Sequence, residues 1–217
     1  MNQAVLFIII ANVLTSMKGF KDYSFINAYK FQVNRILAGE KIRMLTSGFL
    51  HVDWTHLGFN MYALHLFGGI VTNGMGTLFF VIIYIGSLIT GSLYTLSFHK
   101  KEPYYSAVGA SGAVSGVLFS AIILAPKKLY SFIFFPFIDI PGYLLGIGYL
   151  IYSIYGMKKQ LGNVGHSAHL GGAMGGFVLT LILNPVLFIT NSLSVCLLVT
   201  PIILLLFFGD KLKKNIK

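Results

Sequence analysis

Long apolar stretches alternate with short polar breaks along the whole chain, at a spacing that suits repeated membrane crossings. The hydrocarbon core of a bilayer is about 30 Å thick, so a helix rising about 1.5 Å per residue needs roughly 20 apolar residues to cross it. Apolar runs lie at residues 4–17 (AVLFIIIANVLTSM, short for a crossing), 48–71, 76–98, 108–126, 141–156, 165–184 and 189–208. Pro126 follows the fourth run, which a proline cannot continue, and Pro141 opens the fifth, where its missing N–H is harmless. Asn184-Pro185 closes the sixth. No Lys or Arg precedes the first run, which predicts a span rather than a cleaved leader. The pattern predicts an all-α membrane protein, a polytopic helical bundle. Its six-span core covers residues 1–185, and a seventh span with a basic tail covers 186–217.

Composition fixes the solvent. Hydrophobic residues make up 56% of the chain and charged residues 10%, the balance of a membrane protein. The formal net charge is +10, but the basic residues sit in short loops. They read as anchors at lipid headgroups, and no nucleic-acid partner is expected. The single cysteine, Cys196, lies in an apolar run. It excludes a disulfide framework or a Cys-based metal site and reads as a packing residue.

Parity gathers the polar residues. The second, fourth and sixth spans cross in the same direction, so they begin on one membrane face. His51, His56 and Asn60 open the second, Ser111 the fourth and His169 the sixth. Ser111 and His169 lie at similar depth, and ionisable residues inside a membrane are candidate functional groups. Gly112 and Gly116, like Gly172 and Gly176, are spaced four apart, as in the small-xxx-small faces that let helix backbones approach in lipid. His169 shares the Gly172 and Gly176 stripe. A serine hydroxyl and an imidazole must come within about 2.6–3.2 Å for proton transfer, and glycine at the crossing permits it. Each feature alone has a plainer reading as helix packing or as a serine bonded back to a carbonyl. Their coincidence at one depth favours chemistry.

The stretches GASGAVSG (109–116), AHLGGAMGG (168–176), HVDWTHLGFN (51–60) and RMLTSGFLH (43–51) together resemble the rhomboid intramembrane serine proteases. The resemblance covers about residues 1–185. It implies Ser111 as nucleophile and His169 as general base. It also implies His56, Asn60 and the backbone N–H of Ser111 as oxyanion donors, with His51 organising that corner and Gly109 and Gly112 supporting it. The implied activity is endopeptidase cleavage in or near transmembrane segments of membrane proteins, with the lipid bilayer as the other partner. The alternative is an inactive rhomboid-like protein that binds membrane clients. The implied location is a bacterial plasma membrane with an outward-facing site. That orientation would leave most loop lysines outside, contrary to the positive-inside tendency. Two positions depart from the family pattern. Ile42-Arg43 stands where Trp-Arg is usual, and Ser115 where an aromatic often stacks on the histidine.

None of the six acidic residues falls in the fourth or sixth span, so a Ser-His dyad is expected rather than a triad. His56 and Asn60, four apart, share a face and can both donate. His65 faces nearly the opposite side and reads as structural, while His99 and His166 are expected to be solvated in loops. Trp54 and Tyr104-Tyr105 read as interfacial aromatics. His51 and His56 lack the spacing and companions of a zinc site, and neither metal nor cofactor is expected.

Overall fold

The computed structural model describes residues 1–132, 135–159, 161, 165–201 and 203. Helices are labelled in chain order as α1 (Gln3–Lys21), α2 (Tyr23–Tyr29), α3 (Val33–Leu37), α4 (Arg43–Thr46), α5 (Trp54–Met75), α6 (Thr77–Phe98), α7 (Ser111–Leu124), α8 (Gly142–Lys159), α9 (His166–Leu183) and α10 (Leu187–Thr190). α1, α6 and α9 are each long and apolar enough to cross a bilayer. α5 has 22 residues, but its apolar run is interrupted by His56, Asn60 and His65. The outward surfaces of the long helices carry exposed apolar side chains, among them Phe7, Leu14, Leu78, Leu93, Ile151 and Ile182, as lipid-facing surfaces require. This is an integral, multi-pass helical membrane protein.

α7 is the axis. Every residue from Gly112 to Ile123 is buried, so no face of it meets lipid. Its 14 residues span only about 21 Å, too short for both ends to reach the bilayer surfaces. Two apolar cores flank it. One contains Leu57, Leu64, Phe80, Tyr84 and Val117, and the other contains Phe119, Ile122, Leu150, Leu170 and Phe177.

Glycine lets α6, α7 and α9 pack against one another. A Cβ on Gly172 would fall 3.0 Å from Gly112 Cα and still closer to its carbonyl, and one on Gly176 would meet the backbone of Gly116. The other side of α9 does the same against α6, where a Cβ on Gly171 would lie 2.9 Å from the Thr90 carbonyl oxygen. The helices touch backbone to backbone, which gives many close van der Waals contacts where no hydrophobic drive between helices exists.

Several boundaries differ from the sequence pattern. The second span was expected from residue 48, but Ser47–Phe49 form a 3-10 turn and α5 starts at Trp54. The cause is Asp53, whose carboxylate accepts the His56 N–H at 2.7 Å and caps the helix. The helix of the expected fourth span, α7, begins at Ser111 rather than near Val108, because residues 106–107 are held in a strand. β1 (Phe31–Gln32) and β2 (Ser106–Ala107) pair antiparallel, with Phe31 opposite Ala107. A second antiparallel pair, β3 (Leu129–Phe132) and β4 (Phe135–Pro141), joins α7 to α8. Beyond α10 an apolar helix covers Ser192–Pro201, and its Leu198 packs over Gly146 of α8. Residues 202 and 204–217, which hold the end of the expected seventh span and the basic tail, lie outside the described residues. Cys196, expected to be a packing residue, is exposed.

Candidate active site

The starts of α5, α7 and α9 meet at one end of the bundle, as alternating crossings require. Gly109 shows how closely. A Cβ there would sit 2.7 Å from His56 Cε1, 3.0 Å from His56 Nε2 and 3.6 Å from Ser111 Oγ. Its φ of 142° is itself in the region that only glycine adopts readily. Glycine is needed here twice over, for the backbone turn and for the imidazole that lies against it. His56 Nε2 and Ser111 Oγ thus border the same small space.

His51 ties this corner to the rest of the bundle. It is fully buried, with Nδ1 2.9 Å from Ser16 Oγ on α1 and Nε2 accepting the Ala110 N–H at 3.4 Å. Because Nε2 accepts, Nδ1 carries the proton and donates to Ser16. The backbone before Ser111 is also held by Gly109 N–H, which donates to the Ser47 carbonyl at 3.0 Å. Ala110 is the residue that caps α7, so Ser111, Gly112 and Ala113 carry the first N–H groups, which have no intrahelical acceptor. They point with the positive end of the helix dipole toward the space beside Ser111. Asn60 is buried and donates one amide hydrogen to the His56 carbonyl at 2.9 Å, which leaves its second hydrogen for another acceptor.

His169 comes to Ser111 through their neighbours. A Cβ on Gly112 would lie 3.3 Å from the Ala168 carbonyl oxygen, so the residue after the serine touches the residue before the histidine. Among the described residues no hydrogen bond joins Ser111 Oγ to His169. Such contacts are often long before a substrate binds.

Sequence reasoning missed Tyr149. Its ring stacks on His169 at 5.9 Å between centroids and 28° between planes, and its hydroxyl is hydrogen-bonded to Ser115 Oγ. Ser115 also donates to the Ser111 carbonyl at 2.6 Å. The aromatic absent one turn after Ser111 is thus replaced by one from α8, with Ser115 as its tether. A weak signal was present: Gly146, Tyr149, Ser153 and Gly156 recur at helical spacing along α8, a stripe of small and polar residues with one aromatic.

Two histidines depart from expectation. His99 is buried and not solvated, stacked on Tyr105 at 3.5 Å and paired with Glu102 at 3.0 Å. Tyr105 is consequently a packing residue, while Tyr104 and Trp54 are exposed as interfacial aromatics should be. His166 is also buried, as the first residue of α9 and not part of a solvated loop. His65 is exposed, with Nδ1 3.2 Å from Met1 Sδ. The other departure from the family pattern is local. Ile42 is exposed, while Arg43 is buried and bonds the Glu40 carboxylate at 2.5 Å and the carbonyls of Asn27 at 2.8 Å and Lys30 at 3.1 Å. The arginine anchors the loop unaided by a neighbouring Trp.

A helical membrane bundle with a serine, imidazoles and an amide around the open end of a buried helix is the class of protein these features define. The rhomboid domain model matches residues 38–186, and the chain belongs to the rhomboid family. It is 29% identical over 186 residues to the mitochondrial RHOMBOID-like protein 12 of Arabidopsis thaliana, a match covering 78% of this chain and 55% of that protein. It is 34% identical to mitochondrial Rhomboid protein 1 of Saccharomyces cerevisiae, over 63% of this chain and 40% of that one. It is 33% identical to Rhomboid protease GluP of Bacillus subtilis, over 69% of this chain and 28% of that one. The chain therefore spans about half, or less, of the length of these three relatives.

Proposed function

We propose that this protein is an intramembrane serine endopeptidase in which Ser111 attacks the peptide carbonyl and His169 takes and returns the proton. The observation that carries this reading is the backbone contact between α7 and α9 at Gly112 and Ala168, one residue from each reacting group. The Ser111 hydroxyl is a weak nucleophile until a base removes its proton. Attack forms the bond from Oγ to the carbonyl carbon, and the negative charge moves to the carbonyl oxygen. The N-terminal N–H groups of α7, the His56 ring and the free hydrogen of Asn60 are the donors for that oxygen. The tetrahedral intermediate collapses as protonated His169 gives its proton to the leaving nitrogen, and water then releases the acyl group by the reverse sequence. His51 acts indirectly, by fixing the backbone before Ser111. Gly109 leaves room for His56. Gly112, Gly116, Gly172 and Gly176 close the α7–α9 crossing.

The catalytic core under this reading is residues 1–185, with 186–217 an added span and tail. The site opens at the outward face, and the substrates are transmembrane segments of other proteins. A spanning helix hides its peptide bonds because lipid offers no replacement hydrogen bonds, so the cleaved segment must unwind beside Ser111. The expected bacterial plasma membrane gains no support from relatives of which two carry mitochondrial names. The second reading is an inactive rhomboid-like protein that holds membrane clients, and the lack of a hydrogen bond between Ser111 Oγ and His169 among the described residues is the observation on its side. One experiment separates the two. Purified protein in liposomes is given a transmembrane substrate, with wild type set beside Ser111→Ala. Cleavage by the wild type alone supports the protease. Binding without cleavage by both supports the client-holding protein.

A further inference from the structure

His166 is a buried imidazole with no part in the chemistry above, and its surroundings are built to receive it. α8 clears space for it: a Cβ on Gly156 would fall 2.6 Å from His166 Nδ1 and closer still to other ring atoms. The ring of Tyr152 meets it edge-on at 5.1 Å. His166 Nε2 lies 3.2 Å from the Leu161 carbonyl oxygen. A carbonyl only accepts, so Nε2 carries the hydrogen, and Nδ1 of the neutral ring is left as a lone-pair acceptor. Among the described residues that Nδ1 is buried without a partner.

The same is true of His169 Nδ1. If His169 receives the Ser111 proton at Nε2, its Nδ1 must already bear hydrogen and needs an acceptor. No carboxylate lies on α7 or α9, and the Tyr149 hydroxyl is engaged by Ser115. His166 precedes His169 by three residues, on the same face of α9. The two ring centroids are 6.0 Å apart and the planes cross at 73°. With hydrogen bonds of about 2.9 Å, a direct N–H···N bond puts two imidazole centroids about 5 Å apart, and one bridging water puts them about 6 to 7 Å apart.

We propose that His166 is the positioning residue for His169, accepting its Nδ1–H across one bridging water and so fixing the tautomer that can accept from Ser111. This rests on the Ser111–His169 reading. It supplies a neutral third member where soluble serine proteases use a carboxylate, and it explains two orphaned nitrogens with one bridge.

Asparagine and glutamine separate this role from a structural one. In His166→Asn the amide oxygen can stand where Nδ1 stood, keeping the acceptor and losing the Leu161 bond. His166→Gln reaches the Leu161 carbonyl and loses the acceptor. With the full chain in liposomes, kcat on a transmembrane substrate should fall on the order of 10- to 100-fold in His166→Gln, with KM little changed. His166→Asn should stay within about threefold of wild type. The reverse order, equal losses, or no loss in either variant would overturn the proposal. Failure of the wild type to cleave would instead remove the Ser111–His169 reading beneath it. Should either variant fail to fold, 15N-histidine NMR of the wild type decides: His169 protonated at Nδ1 together with His166 protonated at Nε2 supports the bridge, and His166 protonated at Nδ1, or His169 at Nε2, overturns it.

Discussion

Adding one methyl group at Gly172 should disable the protein more severely than its size suggests. In Gly172→Ala the new Cβ would stand 3.0 Å from Gly112 Cα and inside the contact distance of the Gly112 carbonyl. Ordinary van der Waals contact begins near 3.5 Å, and the clashing atoms are backbone, which no rotamer change can move aside. The same Cβ would overlap the Gly112 carbonyl oxygen, so α7 and α9 must separate locally by more than about 1 Å. Alanine is better than glycine inside a helix by about 1 kcal/mol, but overpacking a tight contact costs about 1–3 kcal/mol, so the net stability change is a modest loss. Activity is more sensitive. A misplacement of about 1 Å between reacting groups costs on the order of 100-fold in rate. The control is Gly148→Ala, where a Cβ has nothing within 4 Å and only the helix gain applies. Thermal unfolding in detergent and proteolysis in liposomes would be measured on both. Gly172→Ala with wild-type proteolysis would refute the claim that this crossing sets the Ser111–His169 geometry.

Three further outcomes follow from named contacts. The Tyr149 ring stacks on His169, and such pairs contribute about 0.5–1.5 kcal/mol, so Tyr149→Leu should lower kcat about 2- to 12-fold while Tyr149→Phe keeps more of it. The Arg43 guanidinium bonded to Glu40 holds that carboxyl below the usual carboxylate range. A depressed value stabilises the fold above the ordinary range and ceases to do so as pH falls through the folded value. The stability difference between wild type and Glu40→Gln should therefore be constant near neutrality and vanish in acid, as unfolding curves from about pH 7 to pH 3 would show. With Cys196 replaced by Ser, a membrane-impermeant thiol reagent added from outside should label Tyr104→Cys and spare Lys128→Cys. Labelling at 128 alone would reverse the orientation.

The helical spans were legible because each must be apolar for about 20 residues, a signal no tertiary contact erases. The meeting of His56 with the turn before Ser111 was legible for a similar reason, since parity fixes which ends meet. The Gly112 and Gly172 pairing could be read from spacing, and Gly171 and Gly175 repeat that spacing one position earlier, but spacing alone does not say which helix the second stripe meets, here α6 at Thr90. Tyr149, His99 and His166 escaped for one reason: each acts through a partner distant in sequence or through a loop whose path the pattern does not determine. The loop carrying Tyr105 folds back on His99, and α8 brings Tyr149 and Gly156 onto the two histidines of α9. A two-residue strand such as Phe31–Gln32 has too few positions to show any alternation.

The central claim is that Ser111 is activated by His169. A fluorophosphonate probe reacts only with an activated serine, so it reads that claim without needing a substrate. Wild-type protein in detergent should be labelled at Ser111, as mass spectrometry of the modified peptide would show. Ser111→Ala should take up no probe, and His169→Ala should lose nearly all labelling while unfolding at a temperature close to wild type. Undiminished labelling in His169→Ala, or labelling that persists in Ser111→Ala, would contradict the account.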